Sequence, residues 1–314
     1  MITVLTGGTG GAKFVAGLAS VVPARELTVI VNTGDDLTWW GLHVSPDLDS
    51  ITYALAGMLS RERGWGVEGD SFRCLEAMRQ MGAPAWFQLG DRDLATHLRR
   101  SELLASGRTL SEATADIARS LGIQARILPM SDDRVETRVI AANGELSFQE
   151  YFVRERYQVA VRGVRFDGAE QARPATGVLE AIAQAEAVII APSNPITSIG
   201  PILAAPGIRE ALVQTQAPVA AISPIVGGAA VSGPAGELMK TQALPVSIAG
   251  VARCYADFLN LLIADEQDSA FGPSVEGIAV RYTTTVMKSE ADRAALARSV
   301  LGFLHQRPLE AAVS

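Results

Sequence analysis

The chain has 314 residues and a formal net charge of -7 at pH 7; 48% of its residues are hydrophobic and 19% are charged. These values are typical of a globular α/β protein and exclude a disordered chain, and the length allows a full core without disulfide support. The negative charge argues against a general nucleic-acid partner, because such a surface needs a basic field. We therefore expect any phosphate contact to be local.

The cysteines and the first residues of the chain predict the cellular compartment of the protein. Only Cys74 and Cys254 are present, and they form no metal-spaced cluster, so we expect a reducing environment and no structural zinc. The chain begins with a strand-like segment instead of a basic leader, and no apolar run reaches the length that spans a bilayer. We expect a cytoplasmic protein without a membrane partner.

The first predicted strand, residues 2–5, is followed by the glycine-rich segment GGTGGAKF at 7–14. Glycines let the backbone turn tightly and approach a ligand closely, and residues 15–22 are predicted to form a helix whose first N–H groups point at an anion. This pattern favours a nucleotide site. A glycine-rich turn without any ligand is the alternative.

The glycine-rich segment departs from both standard nucleotide motifs. As a Walker A loop it has Ala12 in place of the second glycine and Phe14 in place of the magnesium-binding hydroxyl residue. As a dinucleotide fingerprint it has Lys13 in place of the third glycine. If a metal assists at this site, its ligands must come from other segments.

Three further apolar segments, 27–31, 188–190 and 219–222, are predicted strands that end in polar loops. With the intervening helices they indicate a Rossmann-like, doubly wound α/β fold with a mostly parallel sheet. In such a sheet, ligands bind outside the carboxyl ends of the strands. We expect these loops to converge on one crevice.

Four aspartates follow the second strand. Asp35 and Asp36 come directly after it, and Asp47 and Asp49 precede a helix predicted over 50–60. Hard oxygen ligands at a strand end beside a phosphate site are those that Mg²⁺ uses. The alternatives are a solvated turn for the first pair and helix capping for the second.

The middle of the chain, about 65–179, alternates a predicted helix at 110–121 with predicted strands at 135–141 and 148–153. We expect it to be an inserted α/β region that forms the second wall of the crevice. No repeat or flexible linker is evident, so residues 1–314 are predicted to form one integrated domain. The predicted core covers about 1–64 and 180–265, with a C-terminal helical segment at about 286–306.

The stretch WFQLGDRDLATH, which begins at position 86, combines polar and apolar residues. Arg92 could hold a phosphate or carboxylate, and His97 could move a proton. Alternatively, Asp91 or Asp93 caps a helix that runs through Arg100.

Seven motifs together carry a specific resemblance. They are GGTGGAK at 7–13, NTGDD at 32–36, SPDLD at 45–49, LGDRDLATH at 89–97, PMSDD at 129–133, SNPITSIGPI at 193–202 and SPIVGG at 223–228. In this order they resemble the 2-phospho-L-lactate transferase family, also called CofD or FbiA, over nearly the whole chain. In that family the deazaflavin Fo attacks a guanosine diphosphate ester of lactate, or of enolpyruvate in bacterial members. The products are coenzyme F420-0, or its dehydro form, and GMP.

The resemblance implies a homodimer, Mg²⁺ as cofactor, and a role for each matched residue. The metal is expected on Asp35 and Asp49, and the catalytic carboxylates are expected to be Asp35, Asp36 and Asp49. The expected Fo-binding residues are Asp49, Gln88, Arg92, Thr96 and His97. The expected nucleotide-binding residues are Gly7, Gly8, Thr9, Gly10, Gly11, Lys13, Ser193, Asn194, Pro195, Ser223, Pro224 and Gly227. Some relatives have a basic residue at position 88, where this chain has Gln.

Two other functions compete with the transferase. One is a non-catalytic, nucleotide-binding regulator of the same fold, against which the complete SPDLD and LGDRD motifs argue. The other is a nicotinamide-dependent oxidoreductase, which Lys13 at the third-glycine position disfavours. The transferred acyl group, whether lactate, enolpyruvate or glycerate, is left open by the sequence.

Overall fold

A mostly parallel sheet forms the centre of the protein in a computed structural model that describes residues 1–142 and 144–305. The strands are β1 Ile2–Thr6, β2 Leu27–Val31, β3 Leu37–Trp39, β4 Leu42–Val44, β5 Arg126–Pro129, β6 Glu136–Ala141, β7 Gly144–Ser147, β8 Val161–Asp167, β9 Ala187–Ile190, β10 Val219–Ile222, β11 Ile225–Val226, β12 Ala229–Ala230, β13 Leu261–Asp265, β14 Ser274–Val275 and β15 Ile278–Thr283. The helices are α1 Gly8–Ala19, α2 Pro46–Leu55, α3 Arg73–Gln80, α4 Asp91–Ala105, α5 Leu110–Ser120, α6 Val178–Ala183, α7 Ile199–Ala204, α8 Ile208–Gln214, α9 Ala235–Thr241, α10 Ile248–Cys254 and α11 Glu290–His305.

The strand order of the main sheet is β14-β15-β13-β10-β9-β1-β2-β5, and all neighbours are parallel except β14 and β15. From β1 the chain proceeds outward to β2 and β5, and later returns to β9 on the other side of β1. The order therefore reverses between β1 and β9, where a doubly wound sheet opens a crevice for ligands. This topology confirms the predicted α/β fold class.

Both faces of the sheet are covered by helices. Successive side chains of β1 point to opposite faces, so that Val4 packs with apolar residues of α1, α2 and α11, whereas Leu5 packs with those of α6 to α9. Strands buried on both faces read as continuous apolar runs, as the segments 27–31 and 219–222 do. Helices on both faces leave the strand ends as the natural place for a site.

The region expected as an insertion, 65–179, contributes strands to the main sheet and to a second, separate sheet. Its strand β5 forms one edge of the main sheet, while β6, β7 and β8 form a separate antiparallel sheet. At the other edge, β14 and β15 extend the main sheet past residue 265. The C-terminal helix covers Glu290–His305, and position 306 lies outside the described residues. Within residues 1–142 and 144–305, no helix is long and apolar enough to cross a membrane.

Two helices begin earlier than predicted. Helix α1 starts at Gly8 instead of residue 15, so the glycines form its first turn. Helix α2 starts at Pro46 instead of residue 50 and ends at Leu55. Proline fits the first helical position because its φ is preset and its missing N–H is not needed there. Asp47 and Asp49 consequently lie in the first turn of α2.

The predicted strand at 148–153 is wrong. Residues Glu150–Arg154 form a π-helix, in which the Glu155 N–H donates to the Glu150 carbonyl at 2.9 Å. The rings of Phe148 and Phe152 stack with centroids 5.5 Å apart. This i, i+4 contact is helical, and the apolar run misled the assignment because short apolar runs suit either structure.

Close packing of α1 on α11 provides a test of the fold. A Cβ added at Gly17 would lie 2.4 Å from the Arg293 carbonyl oxygen, whereas one added at Gly302 meets no heavy atom of the described chain within 4 Å. We expect Gly17→Ala to lower the free energy of unfolding by about 1–3 kcal/mol, because the backbones must separate. Gly302→Ala on α11 should raise it by about 0.5–1 kcal/mol through helix propensity. Urea unfolding measures both, and equal effects would contradict the close approach.

Candidate active site

A cavity of about 680 Å³ opens at the carboxyl ends of the strands around the β1/β9 switch point. This volume is within the range of small-molecule sites. The predicted site residues that line it are Gly7, Gly8, Thr9, Gly10, Lys13, Asp35, Asp49, Gln88, His97, Ser193, Asn194, Ser223 and Pro224. The switch point therefore brings together segments that are up to about two hundred residues apart in the chain.

Six predicted site residues do not line this cavity: Gly11, Asp36, Arg92, Thr96, Pro195 and Gly227. Arg92 is exposed and donates to the Glu68 carbonyl at 3.1 Å. Gly11 faces β1, because a Cβ there would lie 1.9 Å from Thr6 Oγ1. The Gly227 N–H donates to Asp268 Oδ2 at 3.1 Å, which anchors the loop after β10. None of these six residues lines the cavity.

Asp36 also belongs to the supporting wall. Its Oδ2 accepts from Ser45 Oγ at 2.7 Å and lies 3.0 Å from His43 Nε2. These contacts tie the loop after β2 to the residue that precedes α2. Burial raises the pKa of Asp36, and the contacts with His43 and Ser45 partly offset that rise.

The glycine-rich segment meets the loop after β9 through Ser193. The Ser193 hydroxyl donates to the Gly7 carbonyl at 2.7 Å and lies 3.2 Å from the Gly7 nitrogen, whose N–H donates to it. Gly8 has a φ of +69°, a conformation that glycine adopts without strain. Helix α1 thus starts at the cavity, where the first-turn N–H groups after Gly8 can face an anion.

Asn32 links two buried carboxylates. Its amide nitrogen donates to Asp35 Oδ2 at 3.1 Å and to Asp47 Oδ2 at 3.0 Å, while its own carbonyl oxygen accepts from the Gly34 N–H at 2.8 Å. Asp47 Oδ1 also accepts from the Gly8 N–H at 2.8 Å. Asp47 therefore does not simply cap its own helix, since it joins α2 to the start of α1.

The charged forms of Asp35 and Asp47 are disfavoured in the folded protein. Burial raises the pKa of Asp35 well above its usual value, and the negative charge of Asp47 adds to this rise, while the nearby Thr137 hydroxyl and Asn32 amide groups partly offset it. Burial also raises the pKa of Asp47 to about 6, although the bonds from Asn32 and Gly8 act in the opposite direction. Asp35 Oδ1 is buried with no hydrogen-bond partner among residues 1–142 and 144–305.

The environment of Asp35 and Asp47 fits a divalent cation. Mg²⁺ is often held by one or two carboxylates together with substrate phosphates. The unpartnered Asp35 oxygen and the raised pKa values are what a bound cation would relieve. The described part of the chain contains no ready group of three or more His, Cys, Asp or Glu side chains for a metal, so further ligands would come from substrate or water.

Asp49, the other expected metal ligand, has a different partner. Arg100 forms an ion pair with both of its carboxylate oxygens, by Nη2 to Oδ1 and by Nη1 to Oδ2, the latter at 3.3 Å. With its charge paired, Asp49 suits a metal less well than Asp47 does. Sequence reasoning assigned no role in the site to Asn32 or Arg100. The spacing of Asp93, His97 and Arg100, i, i+4 and i+7, would have placed Arg100 on the same side of α4 as His97.

An aromatic wall forms part of the same cavity as the glycine-rich helix start. Trp86, Phe87, Phe148 and Phe152 line the cavity, and Gln88 lies beside the first two. The Trp86 and Phe87 rings meet edge to face at 6.0 Å, and the Arg154 guanidinium lies 5.7 Å from the Trp86 ring centre. Such rings present apolar area to a planar ligand.

The buried charge of Asp47 predicts a pH-dependent stability. The folded protein retains a proton on Asp47 up to about pH 6, whereas an ordinary aspartate has a pKa of 3.8. The wild type therefore loses stability as the pH rises through this window, and Asp47→Asn does not undergo this titration. The quantity to compare is the free energy of unfolding of Asp47→Asn minus that of the wild type. We expect this difference to become more positive by about 1 kcal/mol from pH 5 to pH 7. Urea unfolding in EDTA measures this change, and a constant or falling difference would contradict the raised pKa.

The chain matches the family model described as 2-phospho-L-lactate transferase CofD over residues 2–284. It is 44% identical over 302 residues to the 2-phospho-L-lactate transferase of Methanosarcina acetivorans, covering 96% of this chain and 98% of that relative. It is also 44% identical over 308 residues to the phosphoenolpyruvate transferase of Streptomyces griseus, covering 96% and 97% of the two chains.

Among solved structures, a UPF0052 family protein from Bacillus halodurans is similar with a TM-score of 0.63 and 17% identity, covering 96% of this chain and 98% of that one. This likeness concerns the fold alone. The family model and the relatives, in contrast, match nearly the whole sequence at high identity, and their shared description is that of a transferase. The chain belongs to the 2-phospho-L-lactate transferase family, CofD.

Proposed function

We propose that this protein transfers a 2-phospholactyl or phosphoenolpyruvyl group from a guanosine diphosphate ester to the deazaflavin Fo, with release of GMP. The observation that carries the proposal is the composition of one cavity. The cavity is lined by a helix start and two buried carboxylates, which we assign to the donor side, and by an aromatic wall and a third carboxylate, which we assign to the acceptor side.

The first side suits the diphosphate of the donor. The first-turn N–H groups of α1 after Gly8 and the ammonium group of Lys13 would face phosphate oxygens, and the loops at Ser193 and Ser223 would contact the nucleotide. Asp35 and Asp47 would hold Mg²⁺ against the same phosphates. When bound, the cation would neutralise negative charge on the phosphates of the donor. Because the carboxylates hold the metal, the segment has no need of the Ser or Thr that Phe14 replaces.

The second side suits the acceptor. The rings of Trp86, Phe148 and Phe152 offer flat apolar surface for a deazaflavin. Asp49, which lines the cavity beside His97, would accept a hydrogen bond from the attacking hydroxyl group of the ribityl chain. Arg92 and Thr96 lie outside this cavity, so Gln88, Asp49 and His97 are the expected Fo contacts that the geometry supports.

The transfer exchanges one P–O bond for another. The hydroxyl oxygen of Fo bonds to the phosphorus that bears the acyl group, and the bond from that phosphorus to the oxygen bridging to GMP breaks. GMP leaves with the electron pair, and the hydroxyl proton passes to a cavity carboxylate. The protein mainly aligns the reactants and offsets negative charge, which is the usual division of labour in such transfers.

The relatives point to two donors. One is described as a 2-phospho-L-lactate transferase and another as a phosphoenolpyruvate transferase, at equal identity to this chain. We therefore include both acyl groups in the proposal. A homodimer, as the resemblance implies, is also part of it.

Product formation tests the proposed function. Purified protein is incubated with Fo, Mg²⁺ and each guanosine diphosphate ester in turn, and GMP and the new deazaflavin are followed by chromatography with mass detection. We expect equimolar GMP and product with the lactyl or the enolpyruvyl ester, and loss of both in EDTA. A folded protein that binds GDP but forms no product with any ester would favour the non-catalytic regulator.

Replacing Asp49 with Asn tests the acceptor side. The amide oxygen still accepts from Arg100, so we expect the variant to fold, while turnover falls by about 100-fold or more because the negative acceptor for the hydroxyl group is lost. Asp257→Asn is the matched control, since its carboxylate pairs with Arg209 outside the cavity. Full activity of Asp49→Asn would contradict this role.

A further inference from the structure

Arg100 is a buried cation that the proposed transfer does not yet explain. Its side chain is 2% exposed, and it lies on α4 behind the cavity wall without lining the cavity. Its two terminal nitrogens both contact the Asp49 carboxylate. A group in this position cannot touch substrate, so any effect on the reaction passes through Asp49.

Arg100 provides the hydrogen bonds to the carboxylate of its partner. Asp49 projects from the first turn of α2, and among residues 1–142 and 144–305 its carboxylate oxygens accept hydrogen bonds only from Arg100. A guanidinium that contacts both oxygens fixes that plane, because the two parallel bonds match the spacing of the carboxylate. The remaining lone pairs of Asp49 are left for a group in the cavity.

The neighbours of Arg100 hold it in place. His97, one turn before it on α4, has its Nδ1 3.4 Å from Arg100 Nη1 and 3.6 Å from Asp49 Oδ2. His97 Nε2 lies 3.2 Å from Asp93 Oδ1, which in turn accepts from the Tyr53 hydroxyl at 2.7 Å. All of these side chains are buried, so the arrangement has little freedom.

We propose that Arg100 is a positioning residue that orients the Asp49 carboxylate toward the attacking hydroxyl group of the acceptor. This inference rests on the proposed function. A purely structural ion pair is the competing explanation. Buried ion pairs add little net stability against apolar replacements, so stability alone is a weak reason for this one. A misplaced catalytic group, by contrast, can slow a reaction by about 100-fold.

A double-mutant cycle separates the two explanations. The variants are Asp49→Asn, Arg100→Gln and the double variant, with Arg100→Lys as a second probe that keeps the charge but loses the two-pronged contact. We expect Arg100→Gln to lower kcat by about 10- to 100-fold with the KM for the donor unchanged, and Arg100→Lys to recover only part of it. The double variant should be no slower than Asp49→Asn, because Arg100 acts only through Asp49.

Arg99→Gln is the matched control, since Arg99 is the neighbouring residue on α4 and pairs with Glu102 and Asp116 at the surface. It should turn over as the wild type does. Wild-type rates in both Arg100 variants, or losses that multiply in the double variant, would overturn the positioning role. If Arg100→Gln does not fold, the rates of Arg100→Lys and the double variant decide between the two explanations. Absence of wild-type turnover with every donor would instead contradict the proposed function itself.

Discussion

Buried negative charge is the constraint on which this site depends. Asp35, Asp47 and Asp49 are 5%, 7% and 4% exposed and lie on the wall of one cavity. A buried carboxylate is costly unless donors or a cation compensate it. Each is compensated differently: Asp49 by Arg100, Asp47 by Gly8 and Asn32, and Asp35 on one oxygen only. The one that is least compensated, Asp35, is where our proposal places a cation.

The fold supplies these partners from distant parts of the sequence. The switch point between β1 and β9 places the start of α1 beside Ser193, and the first turn of α2 is directed to the same place by the loop after β2. Helix α4 then brings Arg100 behind Asp49. Asp47 and Asp49, two residues apart in one helical turn, therefore face different surroundings. That difference is the basis for assigning one to the metal and the other to the acceptor.

Much of the fold followed from the sequence, because apolar strands such as 27–31 and 219–222 have a clear signature. The helix starts at Gly8 and Pro46 did not, since glycines and capping residues are compatible with a loop as well as with a first turn. In the site, the motifs led to the cavity-lining residues, but the partners were harder to find. Asn32 and Arg100 also contact Asp47 and Asp49, which lie 15 and 51 positions away, and the sequence does not reveal which distant carboxylate each of them meets.

The division of labour among the three aspartates can be measured directly by anomalous diffraction from crystals grown with GDP and Mn²⁺ in place of Mg²⁺. We predict one strong peak within about 2.5 Å of carboxylate oxygens of Asp35 and Asp47, with Asp49 still paired to Arg100. A peak bound to Asp49, with Arg100 displaced from it, would contradict this assignment.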